Sequence, residues 1–508
     1  MPRETAVISV GDHAPAGVAD RRRDVRSQQA LAEWAAVIAI TAIAVVLRAV
    51  FVGEQSLGYE EAFTASIVNQ STFAAVWHGV KATESTPPLY YVLTWLWVKL
   101  SGSQSETALR MTSLLAGSLT VPASFLAMRQ LVSARLALVV AWLAALSPVL
   151  VGYSIYARSY ALLVLVAALS VWALGAVLEQ PSWRRWTLWG LAAAVCLWTH
   201  YFAAFLLVAE VAVLFVKLPN ARVRLVLCLG GVAVATSPLW SVFRSQSGAS
   251  ERTSYIAAEP LSGRLEGLVR QFAMGTNVPT SWLEGAGIAL AAAAAAFAVV
   301  RTHRQAATRM LGALAIVGAG LPILSAVSGI DDHLLARNVL GVWVCVAPFA
   351  AYGLTRLRSL PLLAYSAICI ATVIAVQSDW RYQGSTDWRG ASVRIEAQAR
   401  GEPVAVEPGL ELAVAGHYLH RTQLLAAVST TNLWVMVQPA RGAGERALSP
   451  VANPLLTQLW GTQFHPVGEI DYHGFRLIHL RANAPTVVAP APANNGPITT
   501  PSAFVLGP

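Results

Sequence analysis

Long apolar segments separated by short basic loops dominate the hydrophobic pattern of this chain. The first runs from about Leu31 to Val52, and about 20 apolar residues are enough to cross the hydrocarbon core of a bilayer. The later segments are expected at about Leu109–Met128, Leu136–Tyr153, Tyr160–Leu178, Thr187–Trp198, Phe202–Val216, Leu225–Trp240, Trp282–Val300, Met310–Ser328, Val339–Leu354 and Leu360–Val376. The pattern therefore predicts an all-α polytopic membrane protein with about eleven transmembrane helices.

One apolar segment, Pro88–Leu100, is too short to span a membrane. It is rich in residues typical of membrane interfaces, namely Tyr90, Tyr91, Trp95, Trp97 and Lys99. We expect a helix that lies on the outer surface. Residues 53–108 then form one long external loop with interfacial helices.

The basic residues of the loops test this topology. With Pro88–Leu100 outside the membrane, twelve basic residues and one acid, Glu179, lie in the inside loops that follow the N-terminal tail. The basic residues are Arg129, Arg135, Arg184, Arg185, Lys217, Arg222, Arg224, Arg301, Arg304, Arg309, Arg356 and Arg358. Counting Pro88–Leu100 as a span would place all twelve outside, against the positive-inside rule. We predict a multi-pass protein of the cytoplasmic (plasma) membrane with its N-terminus inside.

Composition agrees with a membrane protein. Of 508 residues, 56% are hydrophobic and 12% charged, against roughly 25% charged in soluble domains. The net charge of +9 comes from loop residues rather than a basic surface interleaved with aromatics, so no nucleic-acid partner is expected. The four cysteines lie in apolar segments, which favours buried thiols over disulfides or metal ligands.

The regions on either side of the spans differ in character. Residues 1–29 are polar and end in a basic cluster, typical of a disordered cytoplasmic tail; no cleavage site follows that would suit a twin-arginine export signal. Residues 30–377 form the predicted transmembrane catalytic domain. Strand-like runs at Leu433–Val437 and Gly474–Leu480 predict a small external α/β domain over residues 378–481. The Pro/Ala/Asn/Thr-rich residues 482–508 are predicted to be disordered.

The remaining ionisable residues fall on the outer face in this topology. They are Glu60, Glu61, Glu84, Arg158, His200, Asp331, Asp332, His333 and Arg337, with Arg48 near the outer end of the first span. Acids beside Arg and His suit a reaction that needs a base for a nucleophile and cations for an anionic leaving group. Three of these residues also have a structural interpretation. Arg48 could be a snorkelling side chain, His200 an aromatic-belt residue and Arg158 an interfacial anchor.

Several motifs in this order resemble the GT-C integral-membrane glycosyltransferases, in the family 39 branch with the protein O-mannosyltransferases and lipid A aminoarabinose transferase. The resemblance covers roughly Leu31 to Arg389. The motifs are Gly58-Tyr59-Glu60-Glu61-Ala62-Phe63-Thr64, Glu84-Ser85-Thr86-Pro87-Pro88-Leu89-Tyr90-Tyr91, Ala157-Arg158-Ser159-Tyr160, Thr199-His200-Tyr201-Phe202-Ala203, Ala336-Arg337-Asn338 and Asp387-Trp388-Arg389.

The resemblance implies inverting transfer of a sugar from a polyprenyl-phosphate donor to an acceptor hydroxyl on the outer face. Relatives usually begin the first external loop with an Asp-Glu pair, whose Asp position is taken here by Glu60. The resemblance therefore suggests Glu60 as the catalytic base, with Glu61, the second catalytic residue, and Glu84 shaping the acceptor side. Glu61 or Glu84 is the alternative base. Substrate contacts are expected from Glu84, Arg158, Tyr160, His200, Tyr201, Arg337 and Arg48. Tyr156 stands where relatives often carry an acid, which leaves a weakened catalyst as an alternative.

Other functional classes remain to be compared with this one. A polyprenyl-linked sugar flippase or transporter would more often show charges at mid-membrane and paired broken helices. A receptor or scaffold would leave the acidic first loop unexplained. The sugar and the acceptor (glycan, lipid or protein) stay open, and so does a requirement for a divalent metal ion, for which Asp331-Asp332-His333 is a weak candidate.

Overall fold

A computed structural model describes residues 16–247, 256, 259–329, 332–356, 359–379, 381–383, 386–399, 401–407, 412–419, 424–425, 427–437, 463–488 and 504–506. The helices are α1 Ala16–Phe51, α2 Tyr59–Val68, α3 Phe73–Thr83, α4 Leu89–Ser101, α5 Glu106–Arg129, α6 Ala134–Leu146, α7 Pro148–Ser154, α8 Tyr160–Glu179, α9 Trp183–Thr199, α10 Ala203–Lys217, α11 Arg222–Thr236, α12 Leu239–Ser247, α13 Leu261–Met274, α14 Ser281–Thr302, α15 Ala306–Ser328, α16 Trp343–Leu354, α17 Leu360–Ser378, α18 Trp388–Ala399 and α19 Leu412–Leu419. Short 3₁₀ turns precede α11 and α16.

Within these residues, six helices are long and apolar enough to cross a membrane, or up to eight if each bent pair counts as one span. The bent pairs are α6 with α7, at 55°, and α10 with the Pro219–Thr236 segment, at 109°. The prediction of a polytopic helical membrane protein is confirmed, but the count of eleven spans is not. Two predicted spans correspond to the short helices α9 and α16, of 17 and 12 residues.

Helices α5 and α8 form the centre of the bundle. At least two thirds of the apolar stretch of each of these helices is buried inside the protein. In α1, α14 and α15 only about a fifth of that stretch is buried. Helix α8 is apolar on all sides, as expected for a helix enclosed by protein. The outer helices present large apolar side chains such as Ile38, Val300 and Ile316 at the surface, which suits contact with lipid.

The segment between α1 and α5 contains three short helices, α2, α3 and α4. Helix α4 has 13 residues and is too short to be a spanning candidate, in agreement with the prediction for Pro88–Leu100. Its Tyr90 hydroxyl pairs with the Ser113 hydroxyl of α5 at 2.8 Å. This contact attaches α4 to the centre of the bundle.

The C-terminal part contains a six-stranded sheet in the order β2-β6-β1-β3-β5-β4. The strands are β1 Val404–Glu407, β2 Leu424–Leu425, β3 Val428–Val437, β4 Phe464–Tyr472, β5 Phe475–Val488 and β6 Phe504–Leu506. β1 and β3 are parallel, and the other neighbours are antiparallel. A two-residue turn, His473-Gly474, joins β4 to β5 with positive φ at both residues, as this type of hairpin requires. The predicted small α/β domain is therefore present.

Both predicted tails differ from the structure in part. Helix α1 begins at Ala16, so residues 16–29 are helical; this stretch contains no Pro, and Ala, Arg and Gln are good helix formers. At the other end, β5 continues to Val488 and the apolar residues of β6 pair with β1 and β2. Residues 1–15 and 489–503 lie outside the described residues.

Candidate functional site

The start of α2 is held in place by Glu61. Its carboxylate accepts hydrogen bonds from Nε and Nη2 of Arg110, at 2.8 and 2.7 Å, and from the backbone N–H groups of Gly58 and Ala157, at 3.0 and 2.7 Å. Glu61 and Arg110 are both about 1% exposed. All of this carboxylate's strong acceptor positions are therefore used inside the protein, which makes Glu61 an anchor for the first turn of α2.

Glu60 faces away from Arg110, toward the guanidinium groups of Arg158 and Arg337. Its Oε1 lies 2.8 Å from Nη2 of Arg337, and its Oε2 lies 3.7 Å from Nε of Arg158. The Tyr156 hydroxyl donates to Oε2 at 3.3 Å. The side chains of Glu60 and Arg337 are each 23% exposed, so this pair is reachable from outside the protein.

Glu84 holds the other face of Arg158. The two Nη atoms of Arg158 each lie 2.8 Å from one Glu84 oxygen, a bidentate pair that is almost fully buried. The Arg158 guanidinium also lies 5.8 Å from the centre of the Tyr91 ring, and the Tyr91 hydroxyl pairs with that of Thr86. This arrangement fixes the orientation of the guanidinium that faces Glu60.

The charges around Glu60 set its protonation state. Burial by itself would raise the pKa of Glu60, but the charges of Arg337 and Arg158 and the Tyr156 hydrogen bond outweigh it, so the pKa lies below its ordinary value. Burial and the charge of Glu60 raise the pKa of Tyr156 well above its ordinary value. Glu60 is therefore an ionised carboxylate at neutral pH, and Tyr156 is a neutral donor.

His200 and Tyr160 border the same cluster. The Tyr160 ring centre lies 5.6 Å from the Arg337 guanidinium and 6.0 Å from the His200 ring. The His200 Nδ1 accepts the Phe202 backbone N–H at 3.2 Å, which assigns the proton of the neutral ring to Nε2. Burial and the charges of Arg158 and Arg337 lower the pKa of His200 to about 3. His200 is thus a neutral, buried ring beside two guanidinium groups.

Two of the predicted substrate contacts have other partners. The Tyr201 hydroxyl donates to Gln246, whose amide donates to the carbonyl oxygens of Val80 and Thr86. Arg48 is fully buried at the break between α6 and α7, where it donates to the carbonyl oxygens of Ala144 and Ala145 and to Ser154. Pro148 has no N–H to donate to the carbonyl oxygen of Ala144, so Arg48 supplies that hydrogen bond.

The acidic groups do not form a metal-binding set. Among the described residues, no three His, Cys, Asp or Glu side chains are grouped closely enough to hold an ion. Glu60 and Glu84 are engaged by guanidinium groups, and Asp332 pairs with Arg264 at 2.5 and 2.7 Å. Asp331 lies outside the described residues. These described side chains are held by guanidinium groups, and the divalent-ion requirement that the sequence left open stays open.

Sequence reasoning missed two buried ionisable groups. Arg110 was counted as part of a span, although an arginine near the outer end of an apolar helix is a signal of a buried ion pair. Glu210 lies midway along α10 and is fully buried; its Oε2 accepts from Ser170 and Trp189, each at 2.7 Å. The expectation that the remaining ionisable groups lie only on the outer face is therefore wrong, and a Glu in the centre of an apolar run is the signal that was available.

One segment of the sequence matches a known protein family. Residues 85–241 match the family model described as dolichyl-phosphate-mannose-protein mannosyltransferase. This match confirms the resemblance to the GT-C membrane glycosyltransferases. The matched segment includes Arg158, Tyr160 and His200, whereas Glu60 and Arg337 lie on either side of it. No curated protein matches the sequence.

Similar solved structures include an ArnT and an oligosaccharyltransferase. ArnT from Cupriavidus metallidurans, bound to undecaprenyl phosphate, is 18% identical with a TM-score of 0.49, over 75% of this chain and 74% of that one. The Archaeoglobus fulgidus oligosaccharyltransferase AglB, in complex with an inhibitory peptide and a dolichol-phosphate, is 14% identical with a TM-score of 0.40, over 72% of this chain and 58% of that one.

Proposed function

We propose that this protein is an inverting glycosyltransferase that moves a sugar from a polyprenyl-phosphate carrier to an acceptor hydroxyl. The observation that carries the proposal is the position of the Glu60 carboxylate between the guanidinium groups of Arg158 and Arg337. A base and two cations at one reachable point suit a reaction in which a hydroxyl attacks and a phosphate departs.

The reaction requires a base for the acceptor hydroxyl and cations that stabilise the negative charge of the departing phosphate. The acceptor oxygen attacks the anomeric carbon and gives its proton to Glu60. The bond from that carbon to the phosphate oxygen breaks on the opposite side, and its electron pair leaves with the polyprenyl phosphate. Attack opposite the leaving group inverts the anomeric configuration. Phosphate is a good leaving group, so cations are sufficient and a strong acid is not required.

The two arginines have different roles in this scheme. Arg158 is fixed by its two hydrogen bonds to buried Glu84 and provides a permanent positive charge. Arg337 is partly exposed and lies 2.8 Å from Glu60, so an incoming phosphate competes with Glu60 for it. When the donor binds, the Arg337 guanidinium pairs with the phosphate instead of Glu60. The Glu60 carboxylate can then act as the base.

The family match supports the carrier. Residues 85–241 match a model described as dolichyl-phosphate-mannose-protein mannosyltransferase, which favours a hexose or pentose linked to a polyprenyl phosphate as the donor for this chain. We place the carrier phosphate at Arg337, whose side chain is partly exposed.

The remaining predicted site residues follow from this placement. His200 borders the phosphate position as a neutral donor, and Tyr160 supports Arg337 with its ring. Glu61 is a positioning residue for α2, and Arg48 supports the broken helix. The acceptor, whether glycan, lipid or protein, approaches Glu60 from the outer face of the plasma membrane, where the C-terminal domain also lies.

The test is turnover of a panel of polyprenyl-phosphate sugars by the purified protein in lipid bilayers. One donor should release polyprenyl phosphate, and Glu60→Gln should reduce the rate by about 10²–10⁴-fold, the usual contribution of a general base. Glu54→Gln is the matched control, since Glu54 is an exposed acid of the same loop. Carrier movement across the bilayer without sugar release would refute the transferase and favour a flippase.

A further inference from the structure

Asp387, just before α18, connects the external domain to the first external loop. Its Oδ1 accepts hydrogen bonds from the Ser56 hydroxyl at 3.1 Å and the Gly390 N–H at 2.9 Å. Its Oδ2 accepts from the Tyr472 hydroxyl at 2.8 Å and lies 3.3 Å from Nδ1 of His473. One carboxylate therefore joins the β4–β5 hairpin, the start of α18 and the segment that leads into α2.

From Ser56 the contacts continue to Glu61, next to the proposed base Glu60. The Ser56 hydroxyl accepts the Arg389 N–H at 3.1 Å, and the Ser56 carbonyl oxygen accepts from Arg110 at 3.0 Å. The same Arg110 guanidinium holds Glu61, the neighbour of Glu60. A continuous path of hydrogen bonds therefore runs from Tyr472 to the first turn of α2.

A second set of contacts runs parallel to the first. The Leu57 N–H donates to the Tyr418 hydroxyl at 2.6 Å, and Tyr418 donates in turn to Glu106. Arg389 lies 2.5 Å from Glu106 and also donates to the carbonyl oxygen of Gly53. The external domain thus holds both ends of the short 53–57 segment.

Packing places α2 against the same domain. Ala62 of α2 belongs to the apolar core formed by Trp388, Ala391 and other residues of the external domain. Gly390 is required at this junction, because a Cβ there would lie 1.9 Å from the Tyr472 oxygen and 2.6 Å from Asp387. The helix that carries Glu60 is therefore enclosed on one side by the bundle and on the other by the external domain.

We propose that the external domain is a positioning part of the catalytic site, in which Asp387 and Tyr472 hold α2 so that Glu60 faces Arg158 and Arg337. This inference rests on the proposed function. A base displaced by about 1 Å loses on the order of 100-fold in rate, because catalysis depends on its exact placement. Donor binding by Arg158 and Arg337 does not pass through Asp387 and is expected to be preserved.

The experiment compares Tyr472→Phe and Asp387→Asn with wild type in the full-length protein in lipid. The expected result is a kcat lower by about 10- to 100-fold with a donor KM within about twofold of wild type. Arg476→Gln is the matched control: Arg476 lies in the same hairpin but pairs with exposed Asp471. Unchanged kcat in both variants, or an equal loss in the control, would overturn the inference.

A second readout does not depend on activity. Hydrogen exchange of the backbone amides in residues 56–68 should be faster in Tyr472→Phe than in wild type, and unchanged in Arg476→Gln. Equal exchange in all three proteins refutes the support of α2 by the external domain. If wild type turns over no sugar donor, the proposed function fails, and the exchange comparison alone decides whether the domain holds α2.

Discussion

Arg158 and Glu84 form a buried bidentate ion pair, with both Nη atoms of Arg158 at 2.8 Å from the Glu84 oxygens. This pair leaves the Nε edge of the same guanidinium 3.7 Å from Glu60. The cation is therefore oriented toward the base before any substrate arrives, and no reorganisation of Arg158 is needed during the reaction.

Removing one partner of this pair should destabilise the protein strongly. Arg158→Met leaves Glu84 buried without its cation, a change that typically costs about 3–5 kcal/mol of unfolding free energy. The double variant Arg158→Met/Glu84→Met should recover much of that stability, while sugar transfer stays lost in both. Thermal unfolding of the purified protein measures the difference. A single variant as stable as wild type would show that Glu84 does not depend on Arg158.

The pH dependence of kcat/KM should report the protonation of Glu60 in the free enzyme. Its pKa lies below the ordinary value, so activity is retained into mildly acidic solution and is lost as the pH falls through that lowered pKa. Arg337→Gln removes one of the lowering charges. The acidic limb of the kcat/KM profile should therefore move to higher pH in this variant.

His200→Gln is the control for this pH experiment. The pKa of His200 is lowered to about 3 by burial and by Arg158 and Arg337, so His200 does not titrate near neutral pH. The acidic limb should keep its position in His200→Gln even if the rate falls. An acidic limb that disappears in His200→Gln would assign the titration to His200 instead of Glu60.

Glu210 should contribute to stability rather than to transfer. Glu210→Leu leaves the Ser170 hydroxyl and the Trp189 indole N–H without their acceptor, at about 1–3 kcal/mol for each buried group. Glu210→Gln keeps an acceptor oxygen and should stay close to wild type in melting temperature and in sugar transfer. Loss of transfer in Glu210→Gln with an unchanged melting temperature would instead assign this carboxyl a functional role.

Gly117 should be intolerant of a side chain. A Cβ at this position of α5 would lie 1.9 Å from Oγ and 2.7 Å from Cβ of Ser154, next to Arg48. Gly117→Ala should lower the unfolding free energy by about 1–3 kcal/mol, as overpacking does, and displace Arg48 from the helix break. Gly152→Ala in the neighbouring α7 meets no atom within 4 Å and should be neutral or slightly stabilising. Thermal unfolding of the two variants side by side makes the comparison.

The choice between Glu60 and Glu61 illustrates what the sequence left open. The two acids are adjacent, and successive residues of a helix point about 100° apart. One of them therefore faces Arg110 and the other the cleft, but which one does so depends on where α5 and the loop before α8 lie. Arg110 and Ala157 are 49 and 96 positions away from Glu61 in the chain.

The sequence by itself determined the membrane class, the approximate positions of the longer helices, the short non-spanning helix α4 and the small C-terminal α/β domain. These features depend on local composition and on periodicity within short segments, which a single sequence contains in full. Only the tertiary structure decided that Glu61 and Arg48 are internal anchors, that Glu210 is enclosed, and that Glu60 lies between Arg158 and Arg337. Each of those pairings joins residues from distant helices, and the partners of a buried charge are set by the packing of the whole bundle.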